Sequence, residues 1–181
     1  MKRIVLIISI IAFSLNAVAQ EHIIKDETSD GLRNVETMPT IFQHQTELYL
    51  LGWNYLGSKS QNSEHYFIAI MCSEQIAPWN VRTGDKAYLG LLLENEYIEL
   101  TALADAEPEE YSSESGTLYR TIAYYLIPAA AYDKLFKGFD RFKIDVRVKN
   151  TTPVTLAVKL PFSAVEHMLM SYLDIMVTTG R

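Results

Sequence analysis

The chain has 181 residues, a formal charge of −6, one cysteine and an apolar fraction of 49%. A lone cysteine excludes an intramolecular disulfide and a cysteine-based zinc site. An acidic surface repels phosphate backbones, so no nucleic-acid partner is expected, and the composition is that of a folded globular protein.

The first residues read as an address. Lys2 and Arg3 precede an almost unbroken aliphatic stretch from Ile4 to Leu15, and Ala17-Val18-Ala19 supplies the small residues a signal peptidase requires. Residues 1–19 are the predicted signal peptide, with cleavage before Gln20, and export to the periplasm or the extracellular space is the expected fate. The stretch is shorter than the about 20 apolar residues of a membrane-spanning helix, and no cysteine follows it to take a lipid. No membrane anchor is expected. Removing 19 of the 181 residues leaves 162, and losing Lys2 and Arg3 takes the formal charge to about −8. That length buries about two-thirds of the unfolded surface in one core.

From Gln20 to Pro39 the residues are polar and weakly patterned, and residues 20–40 read as a flexible arm. Residues 41–181 read as a single α+β domain. Glu47 to Leu56 and His65 to Ser73 are aromatic-rich and aliphatic-rich runs separated by a polar turn, which predicts a hairpin. Cys72 closes the second run and reads as a small buried hydrophobe. Ala87 to Leu93 and Tyr97 to Leu103 predict a second hairpin. Asp105 to Gly116, with Pro108, four glutamates and three serines, predicts a solvated loop, and Thr117 to Ile127 predicts another strand.

Pro128 and the alanines after it start a short helix that Gly138 ends. In Arg141 to Lys149, Phe142, Ile144, Val146 and Val148 alternate with Arg141, Lys143, Asp145, Arg147 and Lys149, so one face is core and the other is wet. Val154 to Leu160 adds a further short strand. Ser163 and Glu166 have the spacing of a capping box, and Val165, Met168, Leu169, Tyr172, Leu173, Ile175 and Met176 form a wide apolar stripe on a terminal helix.

Chemical signatures are sparse. The four histidines, at 22, 44, 65 and 167, include no pair at the spacing that presents two ligands from one helix face, so no metal site is expected. Ser112 to Gly116 lacks the first glycine of a nucleophile elbow, and the glycines are scattered singly, without a phosphate-cradling loop. No catalytic residue is assigned and no cofactor is expected. Glu94, Glu96, Glu99, Glu107, Glu109 and Glu110 leave open a small secreted hydrolase acting on polysaccharide or peptidoglycan through paired glutamates. The same acidic segment, Glu94 to Glu114, can be read as a loose calcium site or a solvated rim.

The basic row Arg141, Lys143, Arg147 and Lys149 is the candidate binding surface for an anionic glycan, a lipid headgroup or a protein partner. The competing reading pairs it with Glu99 and its neighbours across the sheet. Trp79, in Pro78-Trp79-Asn80, is the aromatic expected to be exposed and able to stack on a ligand. The apolar terminal helix offers a possible homodimer interface.

Asp85 to Leu100, a Gly-Asp turn and hairpin, and Tyr125 to Val148, a strand, short helix and strand, resemble small secreted proteins of unknown function from gut Bacteroidetes, as does the Ala-Val-Ala-Gln junction. The resemblance implies an extracytoplasmic α+β domain and no activity, and the terminal helix departs from it. The expected architecture is α+β: a mostly antiparallel sheet of five to seven strands, with one short and one C-terminal helix on one face. The expected function is an exported non-catalytic binding or interaction module.

Overall fold

The computed structural model describes residues 21–58, 60–75, 78–83, 88–93, 96–114, 116–148, 152 and 154–181. The predicted signal peptide, Glu94 and Lys149 lie outside them. Twelve strands form among these residues: β1 (Ile23–Ser29), β2 (Leu32–Thr37), β3 (Thr40–His44), β4 (Glu47–Ser58), β5 (Ser63–Gln75), β6 (Trp79–Asn80), β7 (Tyr88–Leu93), β8 (Glu96–Ala102), β9 (Glu109–Ser113), β10 (Gly116–Ile127), β11 (Arg141–Val148) and β12 (Val154–Lys159). A 3₁₀ turn (Ala129–Ala131), a one-turn helix α1 (Tyr132–Leu135) and a C-terminal helix α2 (Phe162–Thr179) complete the α+β fold.

The strands pair antiparallel in the order β1-β2-β4-β5-β10-β8-β7-β11-β12, with β3 beside β4, β6 beside β11 and β9 beside β10. Twelve strands exceed the expected five to seven because polar segments join the sheet. Residues 23–37, expected as a flexible arm, are the β1–β2 hairpin. Its turn is Asp30-Gly31, both at positive φ (52° and 78°), a conformation that a hairpin with two-residue loops demands and that Gly adopts without strain. The acidic segment likewise contains β9, paired from Gly116 to Arg120 of β10.

The sheet curls on itself. Tyr49 of β4 and Phe142 of β11 have four strands between them in the pairing order, yet their rings are 5.9 Å apart across the interior. The enclosed face carries Tyr49, Leu51, Trp53 and Tyr55 of β4, Tyr66, Ile68, Ile70 and Cys72 of β5, and Phe142, Ile144 and Val146 of β11, all buried. Burying each such large side chain contributes roughly 1.5–3 kcal/mol.

Helix α2 packs over the inner side of β1 to β4. Met168, Tyr172, Ile175 and Met176 of the anticipated stripe are buried, and Trp53 donates its indole N–H to the Met168 carbonyl at 2.7 Å. The anticipated capping box does not form. Pro161 takes the N-cap position, so Ser163 lies within the first turn, where its backbone is already helical. At the other end Gly180 is left-handed (φ 88°), and its N–H and that of Arg181 bond back to Val177 and Met176.

Candidate binding face

Strand alternation turns Arg141, Lys143, Asp145 and Arg147 outward from β11. On one side Arg141 faces Lys159 of β12, Lys143 faces Ala157 and Asp145 faces Thr155; on the other, Arg141 faces Leu92 of β7 and Lys143 faces Gly90. One strand further, Leu92 faces Tyr97 and Gly90 faces Glu99. The result is a shallow surface whose middle is glycine and whose cations stand beside an exposed ring. Tyr97 is 44% exposed, and the Lys143 ammonium lies 4.9 Å from its centroid.

The competing reading, a direct cross-strand pairing with Glu99, is not the arrangement found, because β7, with Gly90, intervenes between Lys143 and Glu99. The acidic residues engage other cations. Arg82 reaches Asp105 (3.2 Å) and Glu107, Arg120 takes Glu109, and Lys134 takes Glu96. Asp105 also accepts from the Thr83 backbone N–H (2.7 Å) and hydroxyl (2.8 Å), and these bonds with Arg82 hold its carboxyl below the usual range. Glu96 and Glu109 thus each face a cation, and Glu107 shares the Arg82 guanidinium with Asp105. Arg141 has Asp140 at 3.6 Å, and Asp145 accepts from the Thr155 hydroxyl at 2.6 Å. Lys143, Lys159 and Arg147 make no ion pair with another described residue.

Trp79 is a correction. It is 2% exposed, in the core, because β6 pairs Trp79-Asn80 with Val148-Arg147 of β11 and turns the indole inward. Its carbonyl accepts from the buried Thr121 hydroxyl at 2.8 Å. A stacking role for Trp79 is excluded by that burial, and the exposed ring on this face is Tyr97. Cys72 is buried as expected, and burial pushes its thiol up to about 12.

Two groupings were not legible in the sequence. Asp174 of α2 is buried and accepts from His22 through both the backbone N–H (3.1 Å) and Nδ1 (2.7 Å). The His22 ring stands edge-on to His167 at 4.9 Å, and His167 Nδ1 is 2.6 Å from the Thr40 hydroxyl. Burial, with His22 alongside, holds His167 below its ordinary pKa. The contact joins residues 152 apart in sequence, so no local spacing signals it. The second grouping is a cleft of about 650 Å³ at the far end of the β4–β5 hairpin, where Arg33, Tyr55, Glu64 and Thr179 meet. The Tyr55 ring lies against Gly57, where a Cβ would come within 2.1 Å of the phenol oxygen, and its hydroxyl is 3.5 Å from Glu64. Arg33 is committed there to Asp26 (2.9 and 2.8 Å) and the Thr178 carbonyl (3.0 Å). No group of three or more His, Cys, Asp and Glu side chains among the described residues is arranged to hold a metal ion.

Comparison with protein-family models, with curated proteins and with solved structures finds no match.

Proposed function

We propose that this protein is an exported, non-catalytic binding module that takes an anionic glycan on the outer face of β11 and its neighbours. The observation that supports the reading most directly is the run of outward cations Lys159, Arg141 and Lys143, with Lys143 over the exposed Tyr97 ring. Of these cations, only Arg141 has a carboxylate partner among the described residues, Asp140 at 3.6 Å. An aromatic ring stacks on the C–H face of a sugar, and neighbouring cations hold a uronate carboxylate or a sulfate. Gly90, between Lys143 and Glu99, leaves the surface beside Lys143 low. Export rests on the pattern of residues 1–19.

Affinity electrophoresis through gels containing polygalacturonate or chondroitin sulfate tests the reading. The expected result is retardation that weakens as salt rises, because exposed charges are screened. Arg141→Glu with Lys143→Glu abolishes it, and Tyr97→Ala lowers the affinity about 10-fold, a typical loss for a stacking aromatic. Retardation that survives the double charge reversal in a folded protein overturns the reading, as does capture of a protein in place of either glycan. Export is checked by intact mass of the secreted chain, with Gln20 as the expected first residue.

A further inference from the structure

Cleavage before Gln20 makes Gln20-Glu21-His22 the first three residues of the exported chain. Gln20 lies outside the described residues, and Glu21 and His22 open them. The His22 backbone nitrogen and Nδ1 both point at one atom, Asp174 Oδ2, at 3.1 and 2.7 Å. The imidazole is therefore folded back beside its own backbone, in the rotamer that lets both nitrogens reach a common point. The His22 carbonyl is engaged separately, accepting from the Met38 N–H at 2.6 Å. Glu21 is exposed and the His22 side chain keeps 18% of its surface in solvent, against 4% for Asp174, so the pair can be reached from the His22 side. His167, edge-on to His22, is committed through Nδ1 to the Thr40 hydroxyl.

We infer that the processed N-terminus binds Cu(II) through four nitrogens: the Gln20 α-amine, the Glu21 and His22 backbone nitrogens, and His22 Nδ1. A histidine in third place lets all four close fused chelate rings around one ion in a plane. Planar nitrogen sets suit Cu(II) and Ni(II), and Cu(II) stands above Ni(II) in affinity, whereas Zn(II) has no preference for a plane. On binding, the α-ammonium and the two backbone N–H groups release their protons to solvent, the Nδ1 proton passes to Nε2, and four Cu–N bonds form with copper still divalent. Such a site draws on a single side chain, so the spacing of the four histidines does not bear on it. It rests on the cleavage site proposed above and not on the glycan surface. Two of the four donors converge in the folded chain, and a carboxylate oxygen holds their shared point. Asp174 is therefore the competitor. Copper takes both nitrogens from a buried carboxylate in the folded chain, whereas the same three residues bind it unopposed in the unfolded chain. Copper thus favours the unfolded chain, and by reciprocity the loss of Asp174 tightens copper binding.

Titration of the processed chain with Cu(II) salt tests the inference, with intact mass confirming Gln20 as the first residue and its amine as free. The expected result is one equivalent of copper bound with the visible absorption of a planar four-nitrogen complex. His22→Gln weakens binding at least about 100-fold. Enzymatic cyclisation of Gln20 to pyroglutamate, which consumes the amine and touches nothing in the fold, abolishes the four-nitrogen spectrum. Asp174→Ala strengthens binding about 10-fold by removing the competing acceptor. One equivalent of copper lowers the urea midpoint of the wild type and leaves that of the cyclised chain unchanged. A four-nitrogen spectrum that survives cyclisation overturns the inference, as does its absence from a chain with Gln20 free or a urea midpoint raised by copper. A different first residue overturns it by removing the site. Glycan retention is untouched by any of these outcomes, so the two readings fail separately.

Discussion

The outward sides of β11 and of β4, β5 and β10 belong to one sheet and differ in every respect except what lies behind them. Behind both is the same enclosed core: Ile144 and Val146 in one case, Ile68, Ile70 and Tyr125 in the other. In front, β11 shows Arg141, Lys143, Asp145 and Arg147, whereas the central strands show Leu50, Phe67, Met71, Ile122 and Tyr124. A strand apolar on both faces is usually covered on both, as in sheets with helices on either side. Here α1 and α2 both lie on the inner side, where Tyr172 of α2 bonds to the Tyr132 carbonyl. Among the described residues, neither helix covers either outer side.

The comparison breaks first if the shared interior is not shared. Ile70→Ala and Ile144→Ala each leave a cavity at a fully buried position and should each cost about 3 kcal/mol in urea denaturation. A markedly smaller loss at one of them means that the two regions differ inside as well as outside. Next in size is the seam that closes the inner side. Asp174→Ala leaves the His22 backbone N–H and ring without their acceptor and should cost about 2 kcal/mol.

The same seam makes the interior sensitive to pH. His167 has a lowered pKa in the folded chain through burial and the adjacent His22. The unfolded chain therefore takes up this proton first, near the ordinary value of about 6.5. The contribution to stability is full above that pH and is lost as the pH falls below it. Urea midpoints should fall between pH 7.5 and pH 5, and His167→Gln, which keeps a partner for Thr40, should flatten that slope. An unchanged slope in the variant would assign the pH dependence to other groups.

What could be read from the sequence follows the same division. The alternation of β11 is period two over eight residues, so its faces are legible from the chain alone. The double-sided apolar runs of β4 and β5 reveal strands but not which side faces in, because periodicity carries no information where both sides are apolar. The β1–β2 hairpin is mostly polar, with Ile23, Ile24, Leu32 and Val35 too widely scattered to set a pattern, and only Asp30-Gly31 betrays it. Trp79 belongs to a two-residue strand, too short for any pattern, and its burial depends on β11, far along the chain. The His22–Asp174 contact is tertiary altogether.

The smallest effect is the sharpest test of the two outward faces. Ile122→Lys and Lys143→Leu exchange their chemistry while leaving the core alone. If neither face is used within the chain beyond the Lys143–Tyr97 contact, both variants should unfold within about 1 kcal/mol of the wild type. Lys143→Leu should show the larger of the two small losses, because a cation over an exposed ring contributes about 0.5–1 kcal/mol. Ile122→Lys should instead leave glycan retention intact. A loss above about 1 kcal/mol for Ile122→Lys in the monomer would mean that this side chain supports its own chain. The apolar face would then be part of the fold and not a surface held in reserve.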